Sequence, residues 1–501
     1  MINISVDETL GKIVIVTDDL SVECFLKKKL EEKKYLLWKK SYGITNKVEK
    51  IYDSKKKEKG IITFRLGLGW AGYILTVLGT YITREEYDNI LRNIYSENPR
   101  DIPFPELRDY QNSDILHLLK FKRGLVSVYT SYGKTQSISV LANYLHSIGK
   151  RVLIVAPGKK AMEELVKRCK SLYNLDIPSQ DLSINCIITS GLLNRNDIKD
   201  LNERAKFEAL MKTYDAVLVD EVEYTINPSG EYLFSTLCSA ERFYAFSGTA
   251  DKVGGEMISF VNGLSEVVIN NKDLVKWFGP SLIHRMPLSS IKVDYIAVRT
   301  SCLDLVKFEP DDFKTDSNIY LNIMNRIWTD PYVCRLIVQI AKKYPKLFIP
   351  INNLTSILTE WIDNYFIGKF RILLVCAEGF IYYDLEGNKT KLNLSESCEK
   401  IKNNEVDIIP STSSGYRALD FPNLENILLI QGKVAGVVLQ SVGRVARGKH
   451  MNIITLESKS DKNIPVFTKG CAERNEMIHG YYKYCEVVDS VIYEEQLNKE
   501  D

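Results

Sequence analysis

The sequence predicts an α/β protein in which two tandem parallel-sheet domains follow a small α+β domain. Short apolar runs alternate with helical patterns from about Glu106 to Asn262, and again from about Ile291 to Ile454. Such alternation marks βαβ units and a parallel sheet. Residues 1–98 have a different character, with 13 lysines against six acids between positions 21 and 60.

The first domain, 1–98, carries strand-like runs at Ile61–Leu66 and Tyr73–Leu78 around a glycine-rich turn. Gly67-Leu68-Gly69-Trp70-Ala71-Gly72 formally matches a dinucleotide-binding fingerprint. The β-formers that follow argue instead for a hairpin turn. The prolines of Asn98-Pro99-Arg100-Asp101-Ile102-Pro103 punctuate the chain as a linker would. In the second domain, 104–262, strands are expected at Leu125–Tyr129, Val152–Val155, Ile184–Ile188 and Ala216–Val219. Ile138, Leu141, Leu145 and Ile148 recur at helical spacing, and Glu163-Glu164-Leu165-Val166 falls on a further helix. The third domain, 285–458, is expected to hold strands at Lys346–Ile349, Ile372–Val375, Asp407–Ile409, Ile427–Leu429 and Ile453–Thr455. Residues 459–501 read as a helical tail ending in an acidic stub.

Composition narrows the function classes. A chain of 501 residues exceeds one core, and about three or four domains follow from usual domain sizes. Net charge is +2, so any nucleic-acid affinity must come from a local basic groove. No run approaches the ~18 apolar residues of a membrane span, and the acidic N-terminus does not read as a signal peptide. Ten cysteines stand singly with no CxxC pair, which argues for reduced thiols in an intracellular protein.

Chemistry concentrates in two places. Thr130-Ser131-Tyr132-Gly133-Lys134-Thr135 joins an apolar strand to a helix. Backbone N–H groups of such a loop cradle phosphates, a lysine reaches the β/γ-phosphates, and a threonine hydroxyl holds Mg²⁺. Val128 stands where the full phosphate-loop pattern has its first glycine. Further along, the Ala216–Val219 strand ends in Asp220-Glu221-Val222-Glu223. A carboxylate at a strand tip beside a phosphate loop is placed to hold the metal, here Asp220, while Glu221 orients or deprotonates the attacking water.

With these residues on the page, the chain resembles the superfamily 2 helicases. Leu107-Arg108-Asp109-Tyr110-Gln111 is similar to their adenine-reading Q motif, Thr130–Thr135 to motif I, and Val155-Ala156-Pro157-Gly158 to motif Ia. Asp220–Glu223 resembles motif II, Ser247-Gly248-Thr249-Ala250 motif III, and Thr412 through Pro422 motif V. Gln440-Ser441-Val442-Gly443-Arg444-Val445-Ala446-Arg447 matches motif VI, Q-x-x-G-R-x-x-R. The Thr-Ser-x-Gly-Lys-Thr form of motif I is most like phage-encoded DNA helicases of the UvsW type. Ser131 stands where a glycine is usual, Ala418 replaces the motif V glycine, and Glu223 stands for a histidine or aspartate. An acid there cannot make the contacts of a histidine.

The resemblance implies two RecA-like domains with ATP and Mg²⁺ hydrolysed in the cleft between them. It implies that Arg108, Gln111, Thr130, Ser131, Tyr132, Gly133, Lys134 and Thr135 bind ATP, with Thr135 and Asp220 on the metal. Lys134, Asp220, Glu221, Gln440, Arg444 and Arg447 would carry catalysis, the two arginines reaching the γ-phosphate from the second domain. Glu223, Ser247 and Thr249 would couple hydrolysis to motion. Pro157, Gly158, Thr189, Ser190 and Thr412 would grip backbone phosphates, without reading sequence. The implied activity is that of a monomeric, cytoplasmic DNA helicase or branch-migrating translocase on forked, branched or single-stranded DNA, in a host cytoplasm if phage-encoded. The lysines of 1–98 would grip duplex arms. An RNA helicase, or a nucleic-acid-stimulated ATPase clamp without strand separation, are the alternatives.

Overall fold

The computed structural model describes residues 2–36, 45–50, 52–129, 132–173, 184–189, 192–194, 196–225, 228–248, 272–285, 291–301, 303, 306, 326–351, 358, 361–376, 378–412, 424–430, 442, 450–459, 465–482 and 485–497. The chain divides into two compact units, the first running to Arg285 apart from the stretch Tyr129–Tyr132, the second beginning at Met286. Among the described residues the strands form sheets of four, six and nine strands and one two-stranded ribbon.

The first unit opens with β1 (Ile2–Asp7), β2 (Lys12–Thr17) and α1 (Leu20–Leu30), then the ribbon β3 (Glu31–Leu36) and β4 (Thr45–Lys50). β5 (Tyr52–Glu58) and β6 (Ile61–Gly67) complete an antiparallel sheet of order β1-β2-β6-β5. Its lysines are partly neutralised at home. Glu23 on α1, buried, sits 3.1 Å from Lys27 and 3.9 Å from Lys57, and also pairs with Lys55.

The glycine run is followed by helix α2 (Ala71–Leu78), not by a strand as expected for Tyr73–Leu78. Ala71, Ile74, Leu75 and Leu78 are buried at helical spacing. Packing of that stripe overrode the β-propensity of Tyr73, Ile74, Thr76 and Val77. Trp70 is buried against Tyr73. α3 (Arg84–Ile94) starts with a capping box in which the Thr83 hydroxyl and Glu86 satisfy each other's backbone N–H groups.

The end of the first domain and Arg100 of the expected linker both lie against the next domain. Ser96 N–H donates to Lys120 O at 2.9 Å and Lys122 N–H to Ile94 O at 2.8 Å. The Arg100 guanidinium stands 4.1 Å over the Phe104 ring.

The six-stranded sheet follows: α4 (Asp109–Leu118), β7 (Arg123–Val128), α5 (Lys134–Ser147), β8 (Val152–Ala156), α6 (Lys159–Tyr173) and β9 (Ile184–Ile188). After these come α7 (Asn196–Lys199), α8 (Leu201–Met211), β10 (Ala216–Val219), α9 (Pro228–Thr236), β11 (Arg242–Ser247), α10 (Lys272–Phe278) and β12 (Ser281–Arg285). Every pairing is parallel, in the order β12-β7-β11-β10-β8-β9. β7, β8, β10 and β11 are buried at every position, as strands covered by helices on both faces must be. Ile138, Leu141 and Leu145 are buried on α5 as the spacing predicts, whereas Ile148 lies past the helix end and is exposed.

α10 is shared between two cores. Val275 packs with the N-terminal sheet, while Leu274, Trp277 and Phe278 pack under the six-stranded sheet. Gly67 and Gly69 let the two backbones meet there, since a Cβ on Gly69 would stand 1.8 Å from Val275 O. The glycine run is therefore a docking seam. Asp53 reinforces it, 2.9 Å from Lys276 and paired with Lys12.

The second unit holds β13 (Lys292–Thr300), α11 (Pro331–Lys343), β14 (Leu347–Ile351), β15 (Ile372–Cys376), β16 (Gly379–Tyr383), β17 (Lys389–Leu392) and α12 (Leu394–Lys402). β18 (Ile408–Thr412), β19 (Asn426–Leu429), β20 (His450–Ser458), α13 (Pro465–Tyr481) and β21 (Glu486–Tyr493) complete it. The sheet order is β17-β16-β15-β18-β14-β19-β20-β13-β21, parallel except for the antiparallel β15-β16-β17 hairpins at one edge. The five strands read from sequence all appear. The tail, expected as helix alone, also adds β21 to the sheet edge, parallel to β13. The fold is thus a small α+β domain followed in the chain by two α/β domains, one on an all-parallel sheet and one on a sheet parallel but for one edge.

Candidate functional site

In the first unit, β7, β10 and β11 end on the same side because they run parallel, with β11 between the other two. Three motifs therefore converge at one edge of the sheet. Helix α5 begins at Lys134, and Gly133 before it takes φ +97°, a left-handed turn that favours glycine. The Lys134 ammonium lies 3.2 Å from Glu221 Oε1. Burial would push this ammonium down, but Glu221, Asp220 and Glu223 outweigh it and hold the lysine above its ordinary range. Lys134 is charged there.

Asp220 follows β10 and is 6% exposed, with its N–H bonded to Val155 O at 2.9 Å. Its Oδ1 accepts the N–H of Glu221 at 3.0 Å. Glu221 takes φ +45°, a left-handed backbone that costs a non-glycine residue roughly 1–2 kcal/mol. Such strain is characteristic of functional sites. Here it turns the carboxylate toward Lys134 and lets Oε2 accept the Gly248 N–H at 3.4 Å. Glu223 reaches the same strand end: its Oε2 accepts the Ser247 hydroxyl at 2.6 Å. The acid at position 223 cannot copy a histidine, but it does join the motif II turn to motif III.

Gln111 on α4 is 2% exposed and faces the loop. Its Nε2 donates to Gly133 O at 3.2 Å and to Ser137 Oγ at 3.3 Å. Ser137 was not singled out in the sequence; its only signal is a position four residues after Gly133 on a helix. Arg108 is exposed, its guanidinium bonded to the Tyr110 hydroxyl at 2.7 Å. Tyr132 is buried, its ring edge-on to Tyr129 at 5.9 Å.

The remaining candidates scatter. Pro157 and Gly158 follow β8 half-exposed, and a Cβ on Gly158 would meet nothing. Thr189 is 1% exposed, its hydroxyl without a hydrogen-bond partner among the described residues, and Thr412 at the end of β18 is also buried. Thr130, Ser131, Ser190, Thr249, Gln440, Arg444 and Arg447 lie outside the described residues.

Chemically, the cluster can hold a phosphate chain and a hard cation. The Asp220 carboxylate and the Thr135 hydroxyl on the first turn of α5 are the few oxygen donors that Mg²⁺ takes alongside phosphate oxygens, so the donor set fits. Among the described residues no group of three or more His, Cys, Asp or Glu forms a protein-only metal site, and no helix is long and apolar enough to cross a membrane.

No family model matches the chain. It is 26% identical over 259 residues to "Putative helicase 22" of Sulfolobus islandicus filamentous virus (isolate Iceland/Hveragerdi). The match takes in 50% of this chain and 43% of that protein, so the chain spans less than half the length of this relative. Among solved structures it is similar to UvsW of T4, at 14% identity and TM-score 0.38 over 98% of this chain and 99% of that one. It is similar to Saccharomyces cerevisiae Dbp5 bound to RNA and ADP BeF3, at 10% identity and TM-score 0.45 over 78% and 91% of the two chains. Mycobacterium smegmatis Lhr bound to ssDNA and AMP-PNP gives 14% identity and TM-score 0.44 over 76% and 48%. The chain resembles superfamily 2 helicases, the UvsW type among them.

Proposed function

We propose that the chain is an ATP-hydrolysing nucleic-acid motor, a DNA helicase or branch-migrating translocase acting on forked and recombination DNA. The observation that carries this reading is the Lys134–Glu221 pair at 3.2 Å with Asp220 beside it, at the start of a helix behind a left-handed glycine. A triphosphate entering the loop takes Lys134 away from Glu221. Glu221, relieved of its partner, then orients the attacking water and accepts its proton. Thr130, Ser131, Tyr132 and Gly133 are proposed, from the sequence resemblance, as the loop whose backbone N–H groups meet the phosphates. Thr135 and Asp220 would hold Mg²⁺, which would supply charge neutralisation at the phosphate oxygens. From the sequence resemblance alone, Arg444, Arg447 and Gln440 are proposed for the γ-phosphate, where such an arginine is worth roughly 10³–10⁵ in rate.

Coupling runs through motif III. Glu223 and Ser247 share a hydrogen bond, and Glu221 takes the neighbouring Gly248 N–H, so loss of the γ-phosphate would be felt at the end of β11; Thr249 is proposed for coupling from the sequence resemblance alone. Pro157, Gly158, Thr189, Ser190 and Thr412 are proposed as backbone contacts. Thr189 and Thr412 are buried, so of these five Pro157 and Gly158 are the better exposed of the described ones. Binding is then insensitive to sequence and sensitive to salt.

The test is steady-state ATP turnover alone and with single-stranded DNA, forked DNA, four-way junctions and single-stranded RNA, at two salt concentrations. Stimulation by branched DNA above RNA supports the reading. Stimulation by RNA alone makes the chain an RNA helicase, and stimulation without strand separation makes it a clamp. No stimulation by any of them defeats the motor reading.

A further inference from the structure

The edge of a sheet presents unpaired N–H and C=O groups that invite another strand, and proteins blunt it with lysines, bulges, short strands or a cover. Among the described residues the three larger sheets have six edges, and five are blunted in these ways. β1 is covered by α3, whose Glu86 Oε1 accepts the Ile4 N–H at 2.6 Å. β5 carries Lys55, Lys56 and Lys57 and shifts register between Tyr52 and Ser54. β12 also shifts register, between Ser281 and Ile283, and Arg285 at its end lies 2.6 Å from Asp114 on α4. β9 is five residues long and none of them is exposed; β17 has four residues, with Lys389 and Lys391 exposed.

β21 has none of these devices. It runs for eight residues without a lysine, a proline or a break in its register with β13, and no strand lies on its other side among the described residues. Val488, Val491 and Tyr493 are 43%, 46% and 44% exposed. Its acids guard it little. Glu486 stands at the end of the strand, and Asp489 is paired with His479 Nε2 at 2.8 Å.

The strand is also complementary to itself. Two copies of an edge strand related by a two-fold axis pair antiparallel, and because side chains alternate between faces, each residue meets one of the same parity. An axis through Asp489 would set that carboxylate against its own copy. An axis through Ser490, which is small and uncharged, sets Val488 against Ile492 of the second copy on one face. On the other face it sets Val487 against Tyr493 and Asp489 against Val491. Only beyond the strand end does Glu486 meet a like charge, Glu494, and salt screens that repulsion.

We propose that β21 is a self-association edge: a second copy of this chain adds its own β21 antiparallel across a two-fold axis at Ser490, continuing the nine-stranded sheet. The proposal goes beyond the motor reading, does not rest on it, and replaces the monomer that the family resemblance implies. Eight residues a side fall short of the roughly 20–30 of a standard interface, so the dimer is weak and reversible.

The experiment is sedimentation equilibrium of the full chain without nucleic acid, from about 1 to about 200 µM at moderate salt. Wild type is expected to pass from monomer to dimer across that range. Val488→Lys sets an ammonium against Ile492, and Ser490→Lys sets two ammonium groups against each other, so each should raise Kd about tenfold or more. Both positions are exposed, and both variants should keep the wild-type circular dichroism and melting temperature. The register is read by oxidation. Directly opposite residues stand about 4.5–5.5 Å apart at Cα, within disulfide reach, so Ser490→Cys should give a covalent dimer joined at position 490. Val488→Cys should not, since its own copy lies four residues out of step, about 13 Å along the strand. Wild type oxidised in parallel accounts for the native cysteines. A wild type that stays monomeric at the highest concentration would overturn the proposal. So would a dimer that survives both lysine substitutions, or a disulfide that forms at 488 and not at 490. If a lysine variant does not fold, the two cysteine variants decide alone.

Discussion

The Ser247 hydroxyl donates to the Glu223 carboxylate at 2.6 Å, tying the motif II turn to the end of β11. Position 223 departs from the usual histidine or aspartate, yet the departure brings its own contact. A hydrogen bond to a charged group contributes about 1.5–3 kcal/mol. Glu223→Ala is therefore expected to lower the nucleic-acid-stimulated rate by about tenfold or more, with Glu223→Gln nearly unaffected because an acceptor oxygen remains. A double-mutant cycle with Ser247→Ala checks the pairing: the double variant should be no worse than either single one. Additive losses would mean that the two residues act separately.

Lys134 faces the carboxylates of Glu221, Asp220 and Glu223, which stabilise its charge. Lys134→Ala is expected to abolish ATP turnover while nucleic-acid binding persists, since the backbone contacts proposed lie on other loops. Filter binding and a coupled turnover assay read the two properties independently. Substantial residual turnover would remove Lys134 from the proposed role. Arg447→Ala should keep nucleotide binding and lose about 10³-fold or more of the rate; an unchanged rate would take that arginine out of the reaction.

How much of this was legible in the sequence depends on the kind of signal. Lys134, Asp220 and Glu221 announce themselves because a buried parallel strand and the helix after it have distinct periods, and each motif sits at such a junction. The Ala71–Leu78 helix was hidden: its residues are nearly all apolar, so periodicity cannot separate one buried face from two, and Tyr, Ile, Thr and Val bias the reading toward a strand. β21 was hidden for the opposite reason, since an edge strand with Val488, Val491 and Tyr493 exposed shows no apolar alternation. The Gly67–Gly72 run signalled close backbone approach correctly but not its partner, which is α10, some 200 residues away in the chain. Such contacts, and the shorter-range pairing of Ser247 with Glu223, follow from the fold rather than from any local pattern.

Glu23 gives a pH prediction with a definite sign. Hydrogen bonds from Lys55 and then Lys27 hold its carboxyl down at about 2, against an ordinary 4.5. A carboxylate whose pKa is depressed on folding stabilises the fold fully above its unfolded value and loses that contribution as pH falls toward the folded one. The stability difference between wild type and Glu23→Gln should be constant above the ordinary carboxylate range, shrinking between pH 4.5 and about 2. Urea titrations of both proteins across that interval test it. A difference that grows on acidification would show that the lysines do not stabilise the charged form.

The seam at α10 predicts that the N-terminal sheet and the phosphate-loop sheet unfold together. Val275 sits in one core and Leu274, Trp277 and Phe278 in the other, so neither core is complete without this helix. Gly69 is where the backbones meet, and a methyl group there would stand 1.8 Å from Val275 O, a distance that only movement of the main chain can relieve. Overpacking of this kind costs about 1–3 kcal/mol and sometimes more. Gly60 offers the contrast: nothing lies within 4 Å of its Cβ position, though its φ of +83° also disfavours a side chain. Gly60→Ala therefore reports backbone strain alone, and Gly69→Ala reports the seam. In calorimetry the first should shift the unfolding of the first unit without splitting it. The second should separate it into two transitions, the N-terminal sheet melting first because it is the smaller body and loses Val275 from its core. One transition in Gly69→Ala, at the wild-type temperature, would mean that the two sheets are not joined through this helix.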